Sequence, residues 1–138
     1  MKFFCAVLVI ALSGVASLAT ASEAQHFQSP SGNIRCVMGG DEGRFARCDL
    51  GVDVKTYDAA PASCDGDWGT SFGVTVAGTG FVNCVTDAIG GPADPVVLPY
   101  GTEARVPGIT CRSETTGMTC TNSEGGGFSV RRAEQRIF

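Results

Sequence analysis

Cysteine spacing constrains this chain more than any other feature. Near the C-terminus the order glycine, apolar residue, spacer, cysteine occurs twice, as Gly108-Ile109-Thr110-Cys111 and Gly117-Met118-Thr119-Cys120. A looser form stands upstream, in Gly32-Asn33-Ile34-Arg35-Cys36 and Gly80-Phe81-Val82-Asn83-Cys84. Successive strand side chains point to opposite faces, so the residue two before a cysteine shares its face. Ile34/Cys36, Val82/Cys84, Ile109/Cys111 and Met118/Cys120 therefore read as inward-facing pairs on four strands. Cys111 and Cys120 are equidistant from Thr115-Thr116. A two-residue turn there places them directly opposite each other, within bridging reach. Thr-Thr does not supply the positive φ that tight hairpin turns favour, so a longer loop through Gly117 is the competing register.

Compartment follows from the N-terminus and the cysteine count. Lys2, the apolar stretch Phe3 to Leu12 and the small-residue sequence Ala19-Thr20-Ala21 make residues 1–21 a secretory signal cleaved after Ala21. A membrane anchor is the rival assignment, but the run is short and broken by Ser13 and Gly14. Cys5 leaves with the signal. The remaining 117 residues are enough for one domain and hold six cysteines: Cys36, Cys48, Cys64, Cys84, Cys111 and Cys120. An even count in a short exported chain implies a disulfide framework. Nearest-neighbour hairpins favour Cys36–Cys48, Cys64–Cys84 and Cys111–Cys120, each stabilising by roughly 2–4 kcal/mol. Zinc binding is the alternative use of these residues. The chain has no C-x-x-C pair and a single histidine, His26, so neither metal nor cofactor is expected. Without Lys2 the net charge is −5, which argues against nucleic acid or an acidic membrane surface as partner.

Along the chain, Ser22 to Gln28 is a polar lead-in and Ser29 to Gly32 a turn. Ile34–Met38 and Arg44–Leu50 read as a hairpin around a loop at 40–44. Val52 to Ala62 is a linker. Phe72, Val74 and Val76 alternate as a strand, and Phe81–Val85 returns. Val96–Leu98 is a short apolar run, Thr102–Val106 an edge strand ended by Pro107, and Phe128–Arg131 a last strand. Arg132 to Phe138 is compatible with a helical turn or an extended tail. With 19 glycines and 6 prolines and no long helical period, the chain reads as all-β: a small antiparallel sandwich or open barrel of six to eight short strands, stapled by disulfides.

Several motifs in order carry a resemblance. They are Ser29-Pro30-Ser31-Gly32-Asn33-Ile34 followed by Cys36, Asp67-Trp68-Gly69, Leu98-Pro99-Tyr100-Gly101, Gly108 with Cys111, Gly117 with Cys120, and Gly125 to Phe128. Together they resemble a family of small secreted cysteine-rich bacterial proteins of unknown function. The resemblance spans nearly all of the chain beyond the signal. It implies export and a cysteine-rich β domain, and no particular activity. Proteins of that kind often carry Gly-His-Gly-Phe at the last motif, where this chain has Gly126.

The candidate chemistry is sparse. Nucleophilic catalysis needs a base, and His26 lies in the lead-in segment. A glycosidase needs two carboxylates across a cleft; Asp65, Asp67 and Asp87 are the candidates, with Trp68 to stack on a sugar. Aspartates at glycine-rich turns are otherwise turn formers. Asp65-x-Asp67 lacks the rest of a calcium loop. Gly125 to Gly127 lack the lysine and flanking helix of a phosphate loop. Arg131, Arg132 and Arg136 form the one basic cluster. The expected function is that of a non-enzymatic exported domain binding a protein or glycan partner in the envelope or outside the cell, with Asp67, Trp68, Tyr100 and Phe128 on the binding loops. The alternatives are a small cell-wall hydrolase using Asp65, Asp67 and Asp87, or an inhibitor of a host lysozyme or protease.

Overall fold

The computed structural model describes residues 23–39, 43–51 and 54–138. The expected signal segment and part of the 40–44 loop lie outside the described residues. The first sheet contains β1 (Gln25–Gln28), β2 (Ile34–Met38), β3 (Phe45–Leu50), β4 (Ser71–Thr75), β5 (Phe81–Val82) and β6 (Val96–Val97), in the order β5-β4-β3-β2-β1-β6. The second contains β7 (Glu103–Val106), β8 (Ile109–Glu114), β9 (Gly117–Asn122), β10 (Gly127–Val130) and β11 (Gln135–Ile137), in the order β11-β10-β9-β8-β7. Neighbours are antiparallel except β1 and β6, which run parallel.

The alternation read from the sequence decides which faces meet. Ala46, Cys48 and Leu50 of β3 point inward, as do Met118, Cys120 and Asn122 of β9. β3 packs across β8, and β4 across β9 and β10. Phe72 and Phe128, both fully buried, meet at the centre with ring centroids 6.3 Å apart. Each fully buried large side chain of this kind contributes about 1.5–3 kcal/mol. The two sheets do not close into a barrel, so the all-β expectation resolves to a sandwich.

The three bridges are Cys36–Cys48, Cys64–Cys84 and Cys111–Cys120, as nearest-neighbour pairing predicts. Cys36 faces Cys48 in the β2–β3 register, and Cys111 faces Cys120 in the β8–β9 register. Their Cα separations are 4.1 and 4.0 Å. These two bridges belong to opposite sheets and touch in the core, with Cys48 Sγ 4.0 Å from Cys120 Sγ. Both sulfurs are already bonded, so this is a van der Waals contact and not a hydrogen bond. The third bridge is peripheral, with Cys84 exposed.

The β8–β9 hairpin keeps the two-residue tip, because Glu114 pairs with Gly117. Neither threonine adopts a positive φ; Gly117 takes it instead, at 153°. A Cβ on Gly117 would also collide with the Val130 carbonyl oxygen.

Three elements go beyond the sequence reading. The lead-in segment is strand β1: Phe27, its one buried residue, provides enough apolar anchorage beside β2. His26 is therefore half-buried on a strand, packed close to Gly91. The apolar pair Val96–Val97 is an exposed edge strand. The C-terminal tail is the strand β11, held by Gln135. That buried side chain accepts from Thr56 N at 2.8 Å and donates to the carbonyls of Val54 at 3.3 Å and Arg131 at 2.8 Å. The same contacts dock the preceding linker.

One end of the sandwich is sealed. The Asn122 carboxamide donates to Thr75 O at 3.0 Å and Gly78 O at 2.8 Å, and accepts from Glu124 N at 3.0 Å and Gly126 N at 2.9 Å. The β4–β5 and β9–β10 turns are thereby locked face to face. A Cβ on Gly126 would collide with Gly78 O. The glycine run is a close-packing device, and a histidine at 126 would require the β4–β5 turn to withdraw.

Candidate functional site

The opposite end of the sandwich is open. Six residues of β9 separate the two ends, about 20 Å at the usual strand rise. A cavity of about 230 Å³ lies there between the sheets. Its floor is apolar, from Ile34 at the start of β2 and Leu50 at the end of β3. The first sheet contributes Ser29, Ser31 and Asn33 from the β1–β2 turn. The second contributes Glu114, Thr115 and Thr116 at the hairpin tip and Arg132 after β10. Tyr100 closes one side from the β6–β7 turn, which Gly101 N ties to Ser113 O at 2.7 Å.

The β1–β2 turn is pre-set by a buried hydroxyl. Ser29 Oγ, on a residue 3% exposed, accepts from Ile34 N at 3.2 Å and pairs with Ser31 Oγ at 3.0 Å. Gly32 N donates to Ser29 O at 2.9 Å and Gly51 N to Asn33 O at 3.0 Å. The Asn33 carboxamide, the Tyr100, Thr115 and Thr116 hydroxyls and the Arg132 guanidinium have no hydrogen-bond partner among the described residues. Glu114 faces Arg112 Nε at 3.6 Å, a solvent-exposed pair.

A neighbouring hollow of about 260 Å³ shares Asn33 and Leu50 with the first, and its charged groups are occupied. Its Arg35 donates to Pro92 O at 3.0 Å and Ala93 O at 3.3 Å. Its Asp49 is held by Arg47 at 2.8 Å and by Ile89 N at 3.3 Å. These bonds fasten the Asp87–Pro95 loop to the outer face of the first sheet.

The residues singled out from the sequence scatter. Tyr100 lines the open-end cavity. Phe128 is fully buried in the core and presents no surface, because the inward register of β10 carries it against Phe72. Asp67 is exposed and pairs through its backbone with Val85, and Trp68 is half-buried beside it. The same bridge brings the Asp65–Asp67 backbone beside Val85–Asp87, yet all three aspartates are exposed and none lines the cavities described above. No group of three or more His, Cys, Asp or Glu side chains among the described residues is placed to hold a metal ion. Of the basic cluster, Arg132 joins the cavity, whereas Arg131 and Arg136 share a shallow notch with Glu134.

The cavity residues missed at the sequence level are Ser29, Ser31, Asn33, Glu114, Thr115 and Thr116. Ser29 to Asn33 and Tyr100 belong to two motifs that carry the family resemblance, 70 residues apart, and their convergence is the signal the sequence held without showing.

Fold and site together define a disulfide-stapled two-sheet sandwich with one end sealed and the other hollowed by polar turns. Among the described residues no helix is long and apolar enough to cross a membrane, and three disulfides suit an oxidising environment. The chain belongs to a family of unknown function, DUF6636, whose model matches residues 6–138. No curated protein and no solved structure matches it.

Proposed function

We propose that this is an exported, non-enzymatic binding domain, freed from a signal segment near Ala21, that docks a molecule of the cell envelope or the extracellular space through its open end. The observation that carries this reading is the convergence, from both sheets, of side-chain donors and acceptors that bond to no other described part of the protein. The buried carboxamides of Asn122 and Gln135 are by contrast satisfied within the fold. Polar groups held on rigid turns and left for an outside partner are what a recognition site requires.

Capture experiments test this. The immobilised oxidised protein is exposed to envelope extract and to purified cell-wall sacculi. Saturable binding is expected, weakened at least tenfold (about 1.4 kcal/mol) by Tyr100→Ala combined with Arg132→Ala, and unchanged by Trp68→Ala. Equal binding by the double variant would place the interface elsewhere.

A further inference from the structure

We infer that the open-end cavity is a subsite for one neutral sugar ring of a glycan. This rests on the binding reading above and names the ligand class for the same cavity. Size comes first. At about 230 Å³, the cavity is smaller than the roughly 300–1,000 Å³ pockets that engulf a whole drug-sized ligand. It accommodates a single ring-sized group of something larger.

The lining selects the kind of ring. A pyranose presents hydroxyls around its rim, each both donor and acceptor, and an apolar C–H face. Adjacent hydroxyls suit planar groups with paired functions, here the Asn33 carboxamide and the Arg132 guanidinium. Thr115 and Thr116 supply hydroxyls that match either sense. Tyr100, 45% exposed, offers an apolar ring body with a polar tip for the C–H face. Ser29 fixes the turn bearing Ser31 and Asn33 from beneath, so little ordering remains to be done on binding.

Position and charge separate this from other ligands. Extended peptides are held by unpaired ladder groups along a sheet edge, and amphipathic helices by apolar grooves. This cavity lies across strand ends, with a small apolar floor. The chain carries a net charge of −4, and the cavity pairs one carboxylate, Glu114, with one guanidinium, Arg132. An acidic polymer would meet net repulsion, whereas a neutral ring meets none.

The test is an NMR titration of the protein with its three bridges formed, using chitotetraose, cellotetraose and maltotetraose as neutral probes. Tetragalacturonate and an acidic peptide serve as contrasts. At least one neutral probe is expected to give saturable shifts centred on Ser31, Asn33, Tyr100, Thr115 and Thr116. Tyr100→Ala and Arg132→Ala should each weaken that binding about tenfold at unchanged melting temperature. The inference is overturned if no neutral probe moves these resonances, or if the acidic probes bind there more tightly. The binding reading has its own arm. Envelope capture that the Tyr100→Ala/Arg132→Ala pair weakens and no oligosaccharide competes would remove the sugar and keep the site. Loss of both signals would remove both.

Discussion

At one end of the sandwich the Asn122 carboxamide makes four hydrogen bonds to neighbouring turns; at the other the Asn33 carboxamide makes none among the described residues. Asn122 ends β9 of the second sheet and Asn33 immediately precedes β2 of the first, and they finish the two ends of the sandwich in opposite ways. At the sealed end the glycines at 80, 126 and 127 let backbones touch, and the C-terminal residue completes the closure through Gly80 N and Gly127 N, both donating to Phe138 O. At the open end the turns are fixed by their own backbones and by Ser29, and their outward groups are spare. The difference teaches that the internal lock and the unpartnered turns occupy separate ends of one short sandwich, so that under the proposed binding role each can be altered with little effect on the other.

The largest expected effect lies between the ends, where the sulfurs of two bridges touch. Replacing Cys36 and Cys48 together by alanine, or Cys111 and Cys120, should cost about 4–5 kcal/mol, combining lost cross-link with lost core packing. The Cys64→Ala/Cys84→Ala pair should cost about 2–3 kcal/mol, although it closes the longest loop, 20 residues against 9 for Cys111–Cys120. Chain entropy alone ranks these two the other way by roughly 0.7 kcal/mol. Denaturant midpoints of the three double variants decide which term dominates. A less stable Cys64→Ala/Cys84→Ala protein would show that loop length outweighs burial.

Next comes the asparagine pair itself. Asn122→Ala should cost about 3 kcal/mol, since it strands several buried backbone groups at once. Gly126→Ala should cost about 2–3 kcal/mol by forcing the β4–β5 turn away. The two should be strongly non-additive, because either one already opens the lock. Asn33→Ala should stay within about 0.5 kcal/mol of the parent. If Asn33→Ala proves as damaging as Asn122→Ala, the open end is structural and the separation fails.

This asymmetry also explains what was legible in advance. The alternation around Cys36, Cys111 and Cys120 gave strands, faces and bridges, because a two-residue period and a bridging distance leave few registers. The Val82/Cys84 pair, by contrast, does not face inward on a strand: Cys84 lies beyond β5 and is exposed. The exposed strand β6 carries no local mark because its partner is β1, a contact between segments 69 residues apart, and β1 carries none because it rests on β2 through the single buried Phe27. Phe128 lies on the last strand but faces the core instead of a binding surface, behind glycines whose packing partner the sequence does not name. Their real task, allowing the Gly78 carbonyl to approach, is a tertiary fact with no local mark. The cavity was hidden for the same reason. Serines, threonines and an asparagine in turns look like ordinary turn formers until the fold sets three turns side by side.

Ser113 sharpens the comparison at smaller scale. It occupies the last inward position of β8, opposite Met118 and next to the open end, fully buried with its Oγ lacking a hydrogen-bond partner among the described residues. A buried orphan hydroxyl costs free energy that alanine does not. Ser113→Ala should therefore raise stability by about 0.5–1 kcal/mol and leave the bridges unchanged. A loss of stability would mean that the hydroxyl holds an ordered water beneath the cavity.

The smallest effect concerns pH, on the outer edge of the second sheet. The hydrogen bond from Arg105, reinforced by Arg112 at 3.3 Å, holds the Glu103 carboxyl below its ordinary value of 4.5. A depressed folded-state value means that ionised Glu103 stabilises the fold above that ordinary value. The contribution fades as pH falls through the lower folded value, where the carboxylate is protonated in both states. Glu103→Gln should remove this part of the acid dependence and little else. Its melting temperature should match the parent once the pH lies below the folded value and fall slightly below it near neutrality. Because Arg105 is largely exposed, molar salt should erase even that gap. A gap that survives salt would show that the β7 edge is covered in solution, which would extend the binding face beyond the open end.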